Sequence, residues 1–287
     1  MTPVAGQRAL GNTDTSGKPP TASEEQLGQR TLIAFNRALT HWSSRGALLE
    51  SAGAVMCASG TWIPVVANGA FRSDDSLQGS ALVAAADAFF GGLGRGFTVK
   101  VRDSGEDDDL RAACLAAGLE LFGDPVPEMI CRTPLPDAPA VDDITVRVAE
   151  DEAGVRDFIS VNAEAYATYG MPPEVLVDVF DEPGAVLADP AATIVVARRD
   201  DQPVATAMVY ESDGVASLQW VGTVPAARGT GLGALLTVMV TNLAFDRGAS
   251  SCSLQASPMG ASVYHRLGYE TMYHYEEYVR WPKPKAR

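Results

Sequence analysis

The sequence predicts an α/β (α+β) protein with a mixed central sheet flanked by helices, and three observations carry that expectation. Short runs rich in β-branched and aromatic residues alternate with segments whose apolar residues recur at spacings of three and four. One strand-like run, residues 218–224, leads through Gly229, Gly231 and Gly233 straight into a helical stretch. The order of elements in the first half also repeats the order found after residue 193. At 287 residues the chain exceeds the usual single domain and can hold two cores.

Taken in order, residues 1–25 are rich in Gly, Thr, Ser, Pro and Gln, and are expected to form a disordered tail. Leu32, Phe35, Leu39 and Trp42 mark one face of a helix over 25–43. Strand-like pieces at 53–58 and 62–67, separated by Ser59-Gly60-Thr61, predict an antiparallel hairpin. An Ala-rich helix over 80–90, a glycine cluster at 91–96 and a strand at 97–101 follow. Asp107, Asp108 and Asp109 open a helix that stops at Gly118, so this acidic run reads as a cap and first-turn dipole partner rather than a metal site. After a strand at 129–132, the proline-rich residues 134–142 read as a linker between a first unit, 26–133, and a second, 143–287.

The second unit predicts a strand at 144–148, helices at 152–166 and 174–180, and strands at 193–197 and 204–210 around the turn Asp200-Asp201-Gln202-Pro203. Beyond the strand at 218–224, Leu232, Leu235, Leu236, Met239, Val240 and Leu243 share a helix face that ends at Arg247-Gly248. A strand at 251–255, a last helix at 259–267 and one or two closing strands over 270–280 complete the chain.

The unit strand, glycine turn and helix N-terminus is the stretch that bears on function. First-turn N–H groups have no intrahelical partner, and glycines keep side chains out of their way, so the unit suits a phosphate or pyrophosphate. It is not the dinucleotide fingerprint, because the third glycine comes one residue early and no acidic residue follows at a strand end about 20 positions on. No Gly-Lys-Ser/Thr follows, which excludes a Walker loop. A tight loop whose glycines serve only close packing is the competing reading.

Arg228-Gly229-Thr230-Gly231-Leu232-Gly233 resembles the pyrophosphate loop of the GCN5-related N-acetyltransferase (GNAT) family, Gln/Arg-x-x-Gly-x-Gly/Ala. The stretch 257–269 resembles that family's second signature, with Ser257 in place of Asn, Gly260 in place of Ala, a matching Tyr264 and Gly268, and Tyr269 in place of Phe. The resemblance spans residues 143–281. It implies the acyl-CoA N-acyltransferase fold, acetyl-CoA as cofactor and an amine-bearing acceptor. The duplicated element order then suggests a tandem form, in which the first unit is a degenerate copy: no Gly-x-Gly precedes its helix 80–90, Asp74 and Asp75 stand there instead, and Leu115 or apolar neighbours occupy the place of Tyr264. An unrelated helix–strand unit is the alternative for the first half.

The resemblance implies that backbone N–H groups of Gly229, Thr230, Gly231, Leu232 and Gly233 hold the pyrophosphate, and that the main chain of Val221, Gly222, Thr223 and Val224 pairs with the pantetheine arm. Arg228 either adds a charge-assisted bond at the loop mouth or is a surface arginine bonded to a carbonyl. Gly222, in mid-strand, marks a bulge or a close backbone approach. Ser257 and Tyr264 complete the cofactor site, and Tyr264 is the expected catalytic acid that protonates the leaving thiolate. Gln219 on the loop strand cannot act as a base, which leaves Glu211, Asp213, Glu276, Glu277 or the terminal carboxylate as rivals. A coenzyme A-binding protein without turnover is the alternative function.

Composition sets further bounds. With 46% hydrophobic and 20% charged residues the chain is an ordinary globular protein. Its 36 Asp and Glu against 22 Lys and Arg give a net charge of −14, which disfavours nucleic acid and anionic membrane as partners. Cys57, Cys114, Cys131 and Cys252 form no Cys-x-x-Cys pair, and with His41, His265 and His274 they show no metal-ligand spacing, so no metal is expected and the cysteines read as buried thiols. No apolar run reaches a membrane span and no secretory signal is seen, so the cytoplasm is expected. A homodimer stays open.

Overall fold

The computed structural model describes residues 21–282. Of the tail expected over 1–25, residues 1–20 lie outside that range, whereas α1 (Ala22–His41) already begins at Ala22. Its start, earlier than the expected residue 25, is set by a capping box: Thr21 Oγ1 accepts from the Glu24 N–H and Glu24 accepts from the Thr21 N–H.

From there the first half runs β1 (Ala47–Ser51), β2 (Ala54–Ala58), α2 (Pro64–Ala67), β3 (Asn68–Arg72), α3 (Gly79–Leu93), β4 (Phe97–Arg102), α4 (Asp108–Ala116), β5 (Glu120–Leu121) and β6 (Val126–Cys131). The hairpin forms with strands other than those expected. β2 pairs with β1 on one side and β3 on the other, while residues 62–67 end in α2. Pro64 in the first turn of α2 supplies a helical φ, and Asn68 closes the loop by donating to the carbonyls of Thr61 and Ile63 at 2.9 and 3.1 Å.

The second half runs β7 (Thr145–Val148), α5 (Glu152–Ala167), α6 (Glu174–Val179), α7 (Pro183–Ala188), β8 (Ala192–Arg199), β9 (Gln202–Ser212), β10 (Val215–Thr223), a 3-10 turn (Pro225–Ala227), α8 (Leu232–Asp246), β11 (Cys252–Gln255), α9 (Ala261–Leu267) and β12 (Glu270–Arg280). Between the halves, residues 134–142 carry no helix or strand, but Leu135 is buried and its backbone is held by Asn242 of α8 at 2.7 and 2.9 Å.

All twelve strands of the described residues join one sheet, in the order β1-β2-β3-β4-β12-β6-β11-β10-β9-β8-β7, with β5 also on β12. Only β3·β4 and β10·β11 pair in parallel; every other pair is antiparallel. Read outward from the centre, the two sides show the same succession, a closing strand, a parallel pair and then antiparallel strands, with β7 the one extra member. The closing strands are exchanged: β12 lies against β4 of the first half, and β6 against β11 of the second. α8 packs one apolar cluster against the second half's sheet, and α3 and α4 pack another against the first. The four cysteines are free and buried. Among the described residues no helix is long and apolar enough to cross a membrane, and no cluster of metal-ligating side chains occurs.

Candidate active site

The geometry begins in β10. It pairs with β11 only from Ala216 to Leu218, while its pairing with β9 continues to Thr223 through a register shift between Gln219 and Gly222. Trp220 takes a φ of 50° at this bulge, held by edge-to-face contacts with Tyr166 and Phe180. Gly222 is obligatory because α5 comes close: an added Cβ would lie 2.4 Å from the buried Asn162 Oδ1. Beyond Leu218, therefore, β10 leaves its neighbour with one edge unpaired, and a cleft of about 500 Å³ opens there.

The glycine loop closes one end of that cleft. Gly229 and Gly231 have φ values of 76° and 88°, the left-handed region that other residues adopt at a cost. Gly231 caps α8 without a side-chain bond, and the first intrahelical bond runs from the Leu235 N–H to the Gly231 carbonyl, so the N–H groups of Leu232, Gly233 and Ala234 precede the ladder. Gly233 differs from the others. Its φ is ordinary, and an added Cβ would meet only Thr223 Oγ1 at 3.9 Å. Nothing in the protein requires a glycine there; a group bound in the cleft would.

The opposite wall comes from α9 and the turn before it. Ser257 Oγ accepts from the Gly260 N–H at 3.2 Å and from the Tyr169 hydroxyl at 3.3 Å. Tyr264 lies against Tyr269 edge-to-face, and an added Cβ at Gly260 would come within 2.8 Å of its ring. The phenol is pushed up to about 12, first by burial and then by Tyr169 nearby. It therefore remains a proton donor throughout the neutral range.

Val221, Gly222, Thr223, Gly229, Gly231, Leu232, Gly233, Arg228, Ser257 and Tyr264 all line this one cleft. Val224 and Thr230 do not. The Val224 side chain is buried, its N–H is given to the Val204 carbonyl, and the Thr230 hydroxyl turns back to the Ala227 carbonyl at 2.7 Å. Arg228 spends its guanidinium on the protein: Nε donates to Thr223 O, and Nη2 to Ala165 O at 2.8 Å and to Thr168 Oγ1. That places a cation at the C-terminal end of α5 and ties the helix to the loop.

Sequence reasoning missed Tyr166 and Tyr169, which bring α5 to the cleft. Two tyrosines three apart before Gly170 were the available signal. Of the rival bases, Glu211 pairs with Arg247 at 3.0 Å and Asp213 sits in the turn before β10, at the far end of the strand from Gly222. Glu276 pairs with Arg111 of α4 at 2.8 Å. The terminal carboxylate lies outside the described residues. Glu277 alone borders a second cleft, which adjoins the first.

Residues 132–266 match the model of the acetyltransferase (GNAT) domain family. No curated protein sequence matches the chain. Among solved structures it is similar to a GCN5-related N-acetyltransferase from Kribbella flavida, at 20% identity and a TM-score of 0.64, with 90% of this chain and 96% of that chain covered. A GCN5-related N-acetyltransferase from Sphaerobacter thermophilus is similar at 16% identity and a TM-score of 0.60, covering 94% and 96%. A tandem GNAT protein from the clavulanic acid biosynthesis pathway is similar at 16% identity and a TM-score of 0.56, covering 93% and 99%. The mixed sheet with flanking helices is thus the GNAT fold.

Proposed function

We propose that the protein is an N-acetyltransferase that moves the acetyl group of acetyl-CoA to a primary amine, and that its first unit, 26–133, is a degenerate copy of the catalytic unit, 143–287. One observation carries the reading. The strand edge freed after Leu218, the bare N-terminus of α8 and the Tyr264 phenol face a single cleft. The freed edge of Val221 to Thr223 offers main-chain groups to an amide-bearing arm, as an added strand would. Gly229, Gly231 and the first-turn N–H groups of α8 suit a pyrophosphate. The residues present therefore fit the donor.

When bound, acetyl-CoA supplies the thioester: the amine nitrogen forms a bond to its acyl carbon, the C–S bond breaks, and amide and thiol are released. Tyr264 Oη gives its proton to the departing sulfur, and the proton shed by the nitrogen leaves through water, which restores the phenol. Val263 and Met259 help to keep the cleft apolar, which favours the neutral thiol over the thiolate.

The test is thiol release from acetyl-CoA with a panel of primary amines, comparing wild type with Tyr264→Phe. Turnover should fall by roughly 100- to 10,000-fold. The acetyl-CoA dissociation constant should stay within about twofold, and stability should change by no more than about 1–2 kcal/mol. Wild-type turnover in the variant would remove Tyr264 from the mechanism, and no thiol release with any amine would sink the enzymatic reading.

A further inference from the structure

The second cleft, of about 370 Å³, shares Tyr166, Tyr169, Val221, Ser257 and Tyr264 with the first and extends away from the glycine loop. Part of its wall belongs to the first half of the chain: Leu32, Phe35 and Leu39 of α1, with Val65 and Val66 of α2. Its polar end lies where the halves are joined. Lys100 of β4 and Glu277 of β12 are register partners, and the Lys100 ammonium donates to Glu277 Oε1 at 2.5 Å and to Gln255 Oε1 at 2.8 Å.

Resting on the assignment of the first cleft to the acyl donor, we propose that this second cleft is the acceptor site. The acceptor it selects is a primary amine on an apolar body with a neutral hydrogen-bonding group at the distal end. The pair at that end has a charge sum of zero and is mostly shielded, with side-chain exposures of 14% and 10%. The ammonium has three N–H groups, two of them in use, and the second Glu277 oxygen has no partner among the described residues. One donor and one acceptor of the pair thus make no hydrogen bond within the described residues. An amide or hydroxyl can use both without disturbing the pair. A distal carboxylate or ammonium would compete with a member of a shielded ion pair and leave the other charge uncompensated. The remaining wall is mostly apolar, Trp220, Met171 and Val126 included, and its polar members, Asn36 and Gln219 among them, are uncharged, so a charged body finds no counter-charge there. The first half, whatever its ancestry, thus forms one wall of the acceptor site.

The experiment uses 4-arylbutylamines that differ only in the para substituent: hydrogen, hydroxyl, carboxamide or carboxylate. They are assayed by thiol release with the full-length protein, alongside calorimetric binding of acetyl-CoA. The carboxamide should exceed the hydrogen and carboxylate compounds in kcat/KM by about tenfold or more, the worth of one or two hydrogen bonds. The variant is the double substitution Lys100→Met with Glu277→Met, which removes both the donor and the acceptor, and removing both members of a shielded pair is far milder than removing one. In it the carboxamide preference should collapse through KM, while kcat stays within about threefold and acetyl-CoA affinity is unchanged. A carboxamide preference retained in the double variant would overturn the proposal, and so would a wild-type preference for the carboxylate. If acetyl-CoA binds and none of these amines reacts, the acceptor assignment fails and the donor assignment survives; if acetyl-CoA does not bind, the donor assignment fails and this one falls with it.

Discussion

The N-termini of α8 and α3 occupy equivalent places on the two sides of the sheet, each following a strand that pairs in parallel with the next, and their surroundings are opposite. At α8 the first-turn N–H groups open on a cleft, with glycines on both sides of the cap. At α3 the Gly79 N–H is taken by Asp109 Oδ2 at 2.7 Å, and an added Cβ on Gly79 would strike the Leu110 backbone at 2.5 Å. The first half has placed one of its own carboxylates at the helix end, where an anion from outside would otherwise sit. Behind it Asp107 accepts from Arg72 at 2.5 Å and from Arg102 Nε at 2.8 Å, all three side chains being 3% exposed or less. The comparison teaches that a helix N-terminus becomes an anion site by being left open. The acidic run 107–109 does stand at the start of its own helix, with Asp108 and Asp109 in the first turn of α4, but Asp107 makes no cap bond there and Asp109 also closes the neighbouring α3.

Breaking the closed side should cost stability without creating a second site. Burial alone would raise the Asp107 carboxyl, but the hydrogen bonds and charge of Arg102, joined by Arg72, outweigh it and hold the group below the usual carboxylate range. Asp107→Asn leaves two buried guanidinium groups short of their counter-charge and should cost about 3–5 kcal/mol in urea unfolding. Acetyl-CoA affinity should not change. A loss below about 1 kcal/mol, or a second acetyl-CoA bound by the variant, would break the comparison.

A smaller effect should appear at the seam, on the exchanged strand β6. Glu128 is 2% exposed, one of its oxygens has no partner, and burial pushes its carboxyl up to about 7 from 4.5. The folded chain therefore keeps a proton that the unfolded chain releases. This contribution is whole below about 4.5 and is lost as pH rises through about 7. The unfolding free energy measured in urea should decline between pH 5 and pH 8 by at most roughly 3 kcal/mol, and Glu128→Gln should flatten the decline. An equal slope in the variant would assign it to other groups.

How legible this was in the sequence varies with the range of the forces involved. Gly229 and Gly231 could be read because their reason is local, left-handed φ values; Gly222 announces itself as a mid-strand glycine, but the neighbour that requires it, Asn162 of α5, is distant in the chain. Residues 62–67 could not: they look like a strand by composition, but Pro64 and the hydrogen bonds of Asn68 make them a loop and a helical turn. The capping box at Thr21 and Glu24 is a local pattern and is legible in the sequence. Arg228 has the residue type for an anion contact, yet the nearness of the α5 carbonyls decided its partner. The exchange of β6 and β12, and with it the meeting of Lys100 and Glu277, rests on pairings between residues well over a hundred apart, about which local periodicity is silent.

On the reading proposed above, the chain carries one donor site, at the open end of α8. Calorimetric titration of wild type and Gly233→Glu with acetyl-CoA tests it most directly, because neither φ nor packing demands a glycine at 233, an added Cβ there lying 3.9 Å from its nearest neighbour. One molecule should bind per wild-type chain. In the variant, whose carboxylate would face the pyrophosphate, binding should weaken by at least about 100-fold, with an unchanged circular dichroism spectrum. Two molecules per wild-type chain, or undiminished affinity in Gly233→Glu, would contradict it.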